Sequence, residues 1–146
     1  MSMAEQPLKL VLDTSIYIPF INQGIAHPAL DLPQRQPILY MSAVVVEELY
    51  AGALDAPSEK LIDKLFDAFA SLGRLIAPDA ADWQKTGKVV AKLGQKYGFE
   101  RKFLSRITHD ILIALTARKI GAMVVTGNTR DFIRIREFVD FKLHGT

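Results

Sequence analysis

The run Leu8-Lys9-Leu10-Val11-Leu12 is almost wholly apolar and stops at Asp13, the pattern of a short buried strand. Ile38 to Met41 repeats it, and Ser42 stands where it can cap a helix running to about Leu54, with Gly52 near its end. Asp55-Ala56-Pro57 breaks and restarts the chain, because proline is tolerated in a first helical turn and not in a helix interior. Beyond it, Leu61, Leu65, Phe66, Phe69 and Leu72 fall on one helical face. Leu75-Ile76-Ala77 predicts a short strand, and Asp79 predicts the cap of a long helix with Asp82 in its first turn. Ile111, Ala114, Leu115 and Ile120 form an apolar stripe, predicting a helix that begins at Thr108 and ends at Gly121. Ala122-Met123-Val124-Val125 reads as a strand, followed by a short helix from about Thr129 and a last strand near Phe138 to Phe141. Residues 24–37, with three prolines and few large apolar side chains, are the longest loop candidate. Strands alternating with helices imply an α/β fold whose mostly parallel sheet is covered on both faces.

Composition narrows the classes. A chain of 146 residues fits one domain, residues 1–146, and its 49% hydrophobic content suffices for a core. The absence of cysteine excludes disulfides, thiolate catalysis, cysteine-ligated zinc and iron–sulfur clusters together, and suits a reducing cytoplasm. Met1 to Pro7 carries no basic region followed by a long apolar stretch, and no apolar run reaches membrane-span length, so neither secretion nor membrane insertion is expected. A net charge of +2 tolerates a polyanionic partner without demanding one.

The chemistry gathers on acids. Ligands of parallel α/β sheets bind outside the carboxyl ends of the strands. Asp13 follows the first strand, and Asn128 and Asp131 follow the Met123–Val125 strand. Asp110 falls in the first turn of the helix expected from Thr108, where an acid also favours the helix dipole. Glu48 sits within an apolar helix, where a lone carboxylate is costly unless paired or metal-bound; its neighbour Glu47 points elsewhere, and periodicity does not choose between them. Each acid also has a plain reading: Asp13 as a helix cap, Asp110 as a first-turn acid, Asp131 as solvated surface. Gathered at one site, they repel one another unless a cation compensates, and oxygen ligands of this type suit Mg²⁺ or Mn²⁺.

Three segments carry a resemblance to a known family. "LVLDTSIYIPF", "MSAVVVEELYAGA" and "THDILIALTARKIGAMVVTGNTRDF" resemble, in order and spacing over nearly the whole chain, the PIN-domain nucleases, and within them the VapC-type toxins of bacterial toxin–antitoxin pairs. The resemblance implies a three-layer α/β/α fold and selects Glu48, followed by Gly52, over Glu47. It also implies that Asp13, Glu48, Asp110 and Asp131 hold one or two divalent ions for hydrolysis of RNA, with Ser15, Thr126 and Asn128 as supporting groups. A tRNA-like substrate, a homodimer and a small neutralising antitoxin are expected on the same ground. One departure is His109, at a position where the family often has Asn; it can contact substrate phosphate or tune the site, or be a partly exposed helix-start residue.

Lys85, Lys88, Lys92 and Lys96 recur every three or four residues, broadly on one face, with Arg101, Lys102 and Arg106 beyond them; this is a candidate RNA surface or an ordinary solvated face. Arg130, Arg134 and Arg136 form a second candidate patch. Rival classes fit less well. A haloacid dehalogenase-like phosphatase wants a second Asp where Ser15 stands, and a dinucleotide-binding enzyme wants a Gly-rich turn after the first strand. The alternative of another class is a PIN-like module that binds RNA or protein without cutting.

Overall fold

The computed structural model describes residues 7–23, 37–98 and 100–145. The loop expected over residues 24–37 therefore lies, but for Pro37, outside the described residues. In chain order the elements are β1 (Lys9–Leu12), α1 (Thr14–Gln23), β2 (Ile38–Ser42), α2 (Ala43–Gly52), α3 (Ala56–Ser71) and β3 (Leu75–Ile76). There follow α4 (Ala80–Tyr97), α5 (Arg101–Lys119), β4 (Met123–Val125), α6 (Thr129–Arg136) and β5 (Lys142–Leu143).

The strands form one parallel sheet in the order β3-β2-β1-β4-β5. Register places Val11 between Tyr40 of β2 and Val124 of β4, so β1 is central. Its Leu10, Val11 and Leu12 are buried, as expected of a strand with helices on both faces. Right-handed crossovers put helices that lead outward on one side from β1 on one face, and those leading back on the other. Accordingly α1, α2 and α3 pack together, α4, α5 and α6 pack together, and the fold has three layers, α/β/α. The strand order reverses between β1 and β4, the place where a parallel sheet opens a crevice at its carboxyl edge.

Caps expected from sequence are present. Ser42 Oγ accepts from Val44 N at the start of α2, Asp55 from Ser58 N at the start of α3, with Pro57 in that first turn. Asp79 and Asp82 form a reciprocal capping box on α4. Gly121 adopts φ +70° in the turn from α5 to β4. Gly121→Ala is expected to lower stability by about 1–2 kcal/mol, because a Cβ disfavours that conformation; urea unfolding checks it, and an unchanged midpoint contradicts it.

Two boundaries and one buried face differ from the sequence reading. Helix α5 begins at Arg101, not Thr108. Phe103 and Ile107 extend the buried stripe of Ile111 and Leu115 toward the N-terminus, and Thr108 turns its hydroxyl to the carbonyl of Leu104, a bond made inside a helix rather than at its start. Asp110 consequently stands mid-helix, and the first-turn dipole argument does not apply to it. The last strand is Lys142–Leu143 rather than 138–141, since Phe138 and Val139 bond back to the Ile135 carbonyl and close α6. On α3 the stripe that reaches the core is Ile62 and Phe69, with Leu65 partly buried; Leu72 is exposed. None of the helices in the described residues is long and apolar enough to cross a membrane.

Candidate active site

The crevice between the ends of β1 and β4 is where the acids meet. Asp13 directly follows β1, and its backbone N–H still bonds the Val125 carbonyl across to β4. Its side chain is buried, and both of its oxygens accept hydrogen bonds. Ser15 Oγ and Ser15 N donate to Oδ1 at 2.5 and 3.1 Å, and Thr126 Oγ1 donates to Oδ2 at 2.5 Å. The Ser15 N–H bond is a helix-cap contact, so both readings of Asp13 hold: it caps α1 and it lines the crevice. Burial raises its pKa, the Ser15 and Thr126 bonds pull it down, and the Glu48 charge adds to the rise.

The hydroxyls are themselves held. Gly127 N donates to Ser15 Oγ at 2.8 Å, and Asn128 N to Thr126 Oγ1 at 2.8 Å. A Cβ on Gly127 would stand 3.3 Å from Ser15 Oγ, so the glycine permits this close approach. On the far wall, Asp131 sits in the first turn of α6, buried. Its Oδ2 accepts from Arg106 Nε at 2.8 Å and from Asn128 Nδ2 at 3.0 Å. Solvated surface is thus not its environment.

Helix α2 resolves the choice between its glutamates. Glu47 is exposed, whereas Glu48 turns inward, accepts from Thr14 Oγ1 at 2.8 Å, and lies 3.5 Å from His109 Nδ1. That histidine is half-exposed, and its contact with Glu48 is an ion pair only when the imidazole carries its second proton.

Asp110 decides the character of the site. It is buried, its Oδ2 has no hydrogen-bond partner, and its pKa is pushed up to about 8. Desolvation is the chief cause, followed by the charges of Asp13, Glu48 and Asp131; Arg106 opposes them. An unpaired carboxylate held against three others is a costly arrangement that a cation relieves. The donor set is entirely hard oxygen, which suits Mg²⁺ or Mn²⁺. Among the described residues no three acidic or histidine side chains stand at coordination distance from one point. Asp13 and Asp131 instead spend oxygens on protein donors, which fits an ion that keeps several waters and takes only one or two carboxylates directly.

The chain matches the family model described as PIN domain over residues 10–137. It belongs to the PIN domain family. This PIN domain is 30% identical over 128 residues to the tRNA(fMet)-specific endonuclease VapC of Shigella flexneri, a match spanning 88% of this chain and 92% of that protein. Among solved structures it is similar to VapBC2 from Rickettsia felis bound to a promoter DNA fragment, with a TM-score of 0.65 and 25% identity over 94% of this chain and 98% of the other. DNA-bound VapBC from Salmonella typhimurium gives 0.64 and 25%, over 94% and 97%.

The candidate site of this PIN domain also contains Thr14, Gly127 and Arg106, which no sequence signal places there. Along the chain Arg106 is only one member of a basic run. Of that run, Lys96 pairs with Glu137 at 2.7 Å, tying α4 to the end of α6, and Lys92 lies over the Phe138 ring at 6.0 Å. Those lysines bind neighbouring elements of the fold.

Proposed function

We propose that this chain is a divalent-metal-dependent endoribonuclease, the toxin component of a VapC-type toxin–antitoxin pair, working as one PIN-like domain over residues 1–146. The observation that carries this reading is Asp110: a buried carboxylate with an unpartnered oxygen, facing Asp13, Glu48 and Asp131 at the point where the strand order reverses. The relative from Shigella flexneri supports tRNA as substrate, and the VapBC structures support a small antitoxin as partner. A homodimer acting in the cytoplasm completes the proposal, and Mg²⁺, with Mn²⁺ as a substitute, is the ion.

Asp13, Glu48, Asp110 and Asp131 would hold the ion, directly or through water. When bound, Mg²⁺ would supply Lewis acidity toward phosphate oxygens and water. The residues of this chain provide everything else. Ser15 and Thr126 fix both oxygens of Asp13, so its lone pairs point in set directions. Asn128 and Arg106 both donate to Oδ2 of Asp131 and so orient that carboxylate, and Arg106 also reduces the negative charge that a phosphate must approach. Thr14 orients Glu48, and His109 at the crevice rim contributes a donor for a phosphate oxygen when protonated.

Incubation of the purified, partner-free chain with a total tRNA pool and Mg²⁺ tests the proposal. Discrete fragments from one or a few tRNA species are expected; an intact pool, with protein shown to be folded, sinks the nuclease and favours a non-cutting module. The two α2 glutamates give an internal control. Glu48→Gln is expected to slow cleavage by about tenfold or more, roughly 1.4 kcal/mol of transition-state stabilisation, whereas Glu47→Gln stays within about twofold of wild type, as a surface change should. Equal losses in the two variants contradict the orientation of α2.

A further inference from the structure

Beside the acidic crevice, and sharing the wall made by Asp131, lies a cleft of about 530 Å³. Its construction differs from that of the crevice. Tyr97, the last residue of α4, and Phe103, in the first turn of α5, present two rings, and α6 lays Arg134 across them. The Arg134 guanidinium carbon is 4.3 Å from the Tyr97 ring centre and 5.7 Å from that of Phe103; Arg106 stands 5.7 Å from the same Phe103 ring. Arg134 is half-buried, and among the described residues no carboxylate oxygen lies within ion-pair distance of it. Its planar group rests against the Tyr97 ring and lines the cleft, near the Glu137 carboxylate that accepts from Lys96 Nζ and Tyr97 Oη.

Resting on the nuclease reading, we propose that this cleft is a nucleotide subsite: it takes the base of an unpaired nucleotide flanking the scissile phosphate, stacked on the layer made by Arg134 and Tyr97. Two features favour a base over a bare phosphate. Glu100 and Asp131 place carboxylates on the same walls as the arginines, so the cleft is not a uniform anion trap. A guanidinium backed by an aromatic ring offers a flat, cationic face, the surface on which unstacked RNA bases settle regardless of sequence. Exposed Arg130, at the cleft edge beside the crevice, then meets the phosphate that joins the two sites. The antechamber so formed selects single-stranded or looped RNA, since a base within a duplex cannot leave its stack at low cost.

The test compares two fluorescent ten-nucleotide probes, oligoadenylate and its fully abasic ribose-phosphate counterpart, binding to the full chain in Ca²⁺. Wild type is expected to bind oligoadenylate about tenfold tighter than the abasic probe, the scale of one base–aromatic stack. In Tyr97→Ala and Arg134→Gln the preference falls below about threefold, and in Tyr97→Phe, which keeps the ring, it is retained. Tyr97 is partly exposed at a helix end, so its truncation leaves the core intact. No preference in wild type, or the same preference in all four proteins, overturns the subsite and leaves the cleft to a side chain of a protein partner. Cleavage of the tRNA pool by the same wild-type preparation separates the two claims. Cutting without base preference removes the subsite alone, and base preference without cutting removes the nuclease alone.

Discussion

Asp13→Asn lowers the rate of RNA cleavage by about a thousandfold or more, the consequence of losing several kcal/mol of metal-assisted charge stabilisation. The substitution is close to isosteric, and the surroundings accept it. The remaining amide oxygen still takes the bonds from Ser15 Oγ and N, and the new amide group donates to Thr126 Oγ1, whose hydroxyl rotates to accept. What is lost is the negative charge at the end of the central strand, together with the acceptor of the Thr126 hydroxyl proton. Single-turnover cleavage of a labelled tRNA, read beside circular dichroism and thermal melting, measures it. A mutant that is folded and cuts within about tenfold of wild type contradicts the role given to Asp13.

Asp110→Asn is expected to do two opposite things: abolish cleavage and stabilise the metal-free protein. The carboxyl of Asp110 has a pKa of about 8 in the folded state, against an ordinary value of 3.8. Where the folded pKa is the higher, the folded chain holds a proton the unfolded chain has released, so stability falls as pH rises from about 4 to about 8 and the full cost is present above that. The cost is on the order of a few kcal/mol, since a tenfold change in proton affinity corresponds to roughly 1.4 kcal/mol. An amide carries no charge to desolvate and does not repel Asp13, Glu48 and Asp131. At pH 8 the metal-free mutant should therefore melt about 5–10 °C higher than wild type. Mg²⁺ should raise the melting temperature of wild type and leave that of Asp110→Asn almost unchanged. A mutant that melts lower than wild type without metal contradicts the charge repulsion at the centre of the site.

Much of this arrangement is legible in the sequence, for reasons that differ between residues. Asp13 stands out because Leu8 to Leu12 leaves little choice but a buried strand, and the residue after such a strand lies at the ligand edge of the sheet. Asp79 and Ser42 are legible because capping is local chemistry, decided within three residues. Asp110 is recognisable in kind but not in position. Thr108 has the chemistry of a cap, and only the packing of Phe103 and Ile107 shows that the helix has already begun. Glu47 and Glu48 illustrate the opposite limit. In the sequence VVVEELY nearly every side of the helix is apolar, so period alone carries no direction, and family resemblance rather than physics selects Glu48. Helix α1 contains Pro19, which weakens any local signal for it. The supporting contacts are out of reach: Arg106 meets Asp131 across 25 residues, Thr14 meets Glu48 across 34, and Gly127 meets Ser15 across 112. No pattern along the chain encodes such pairs; they exist only once the sheet and its helices have packed.

The most direct test is to strip the wild-type chain of divalent ions and follow cleavage of a labelled tRNA pool as Mg²⁺ is returned. A metal-dependent nuclease shows no cutting in chelator, a saturable rise with added Mg²⁺, and a return to zero when chelator is added again. Cleavage that proceeds unchanged in chelator, and still depends on this chain, contradicts a metal held by Asp13, Glu48, Asp110 and Asp131.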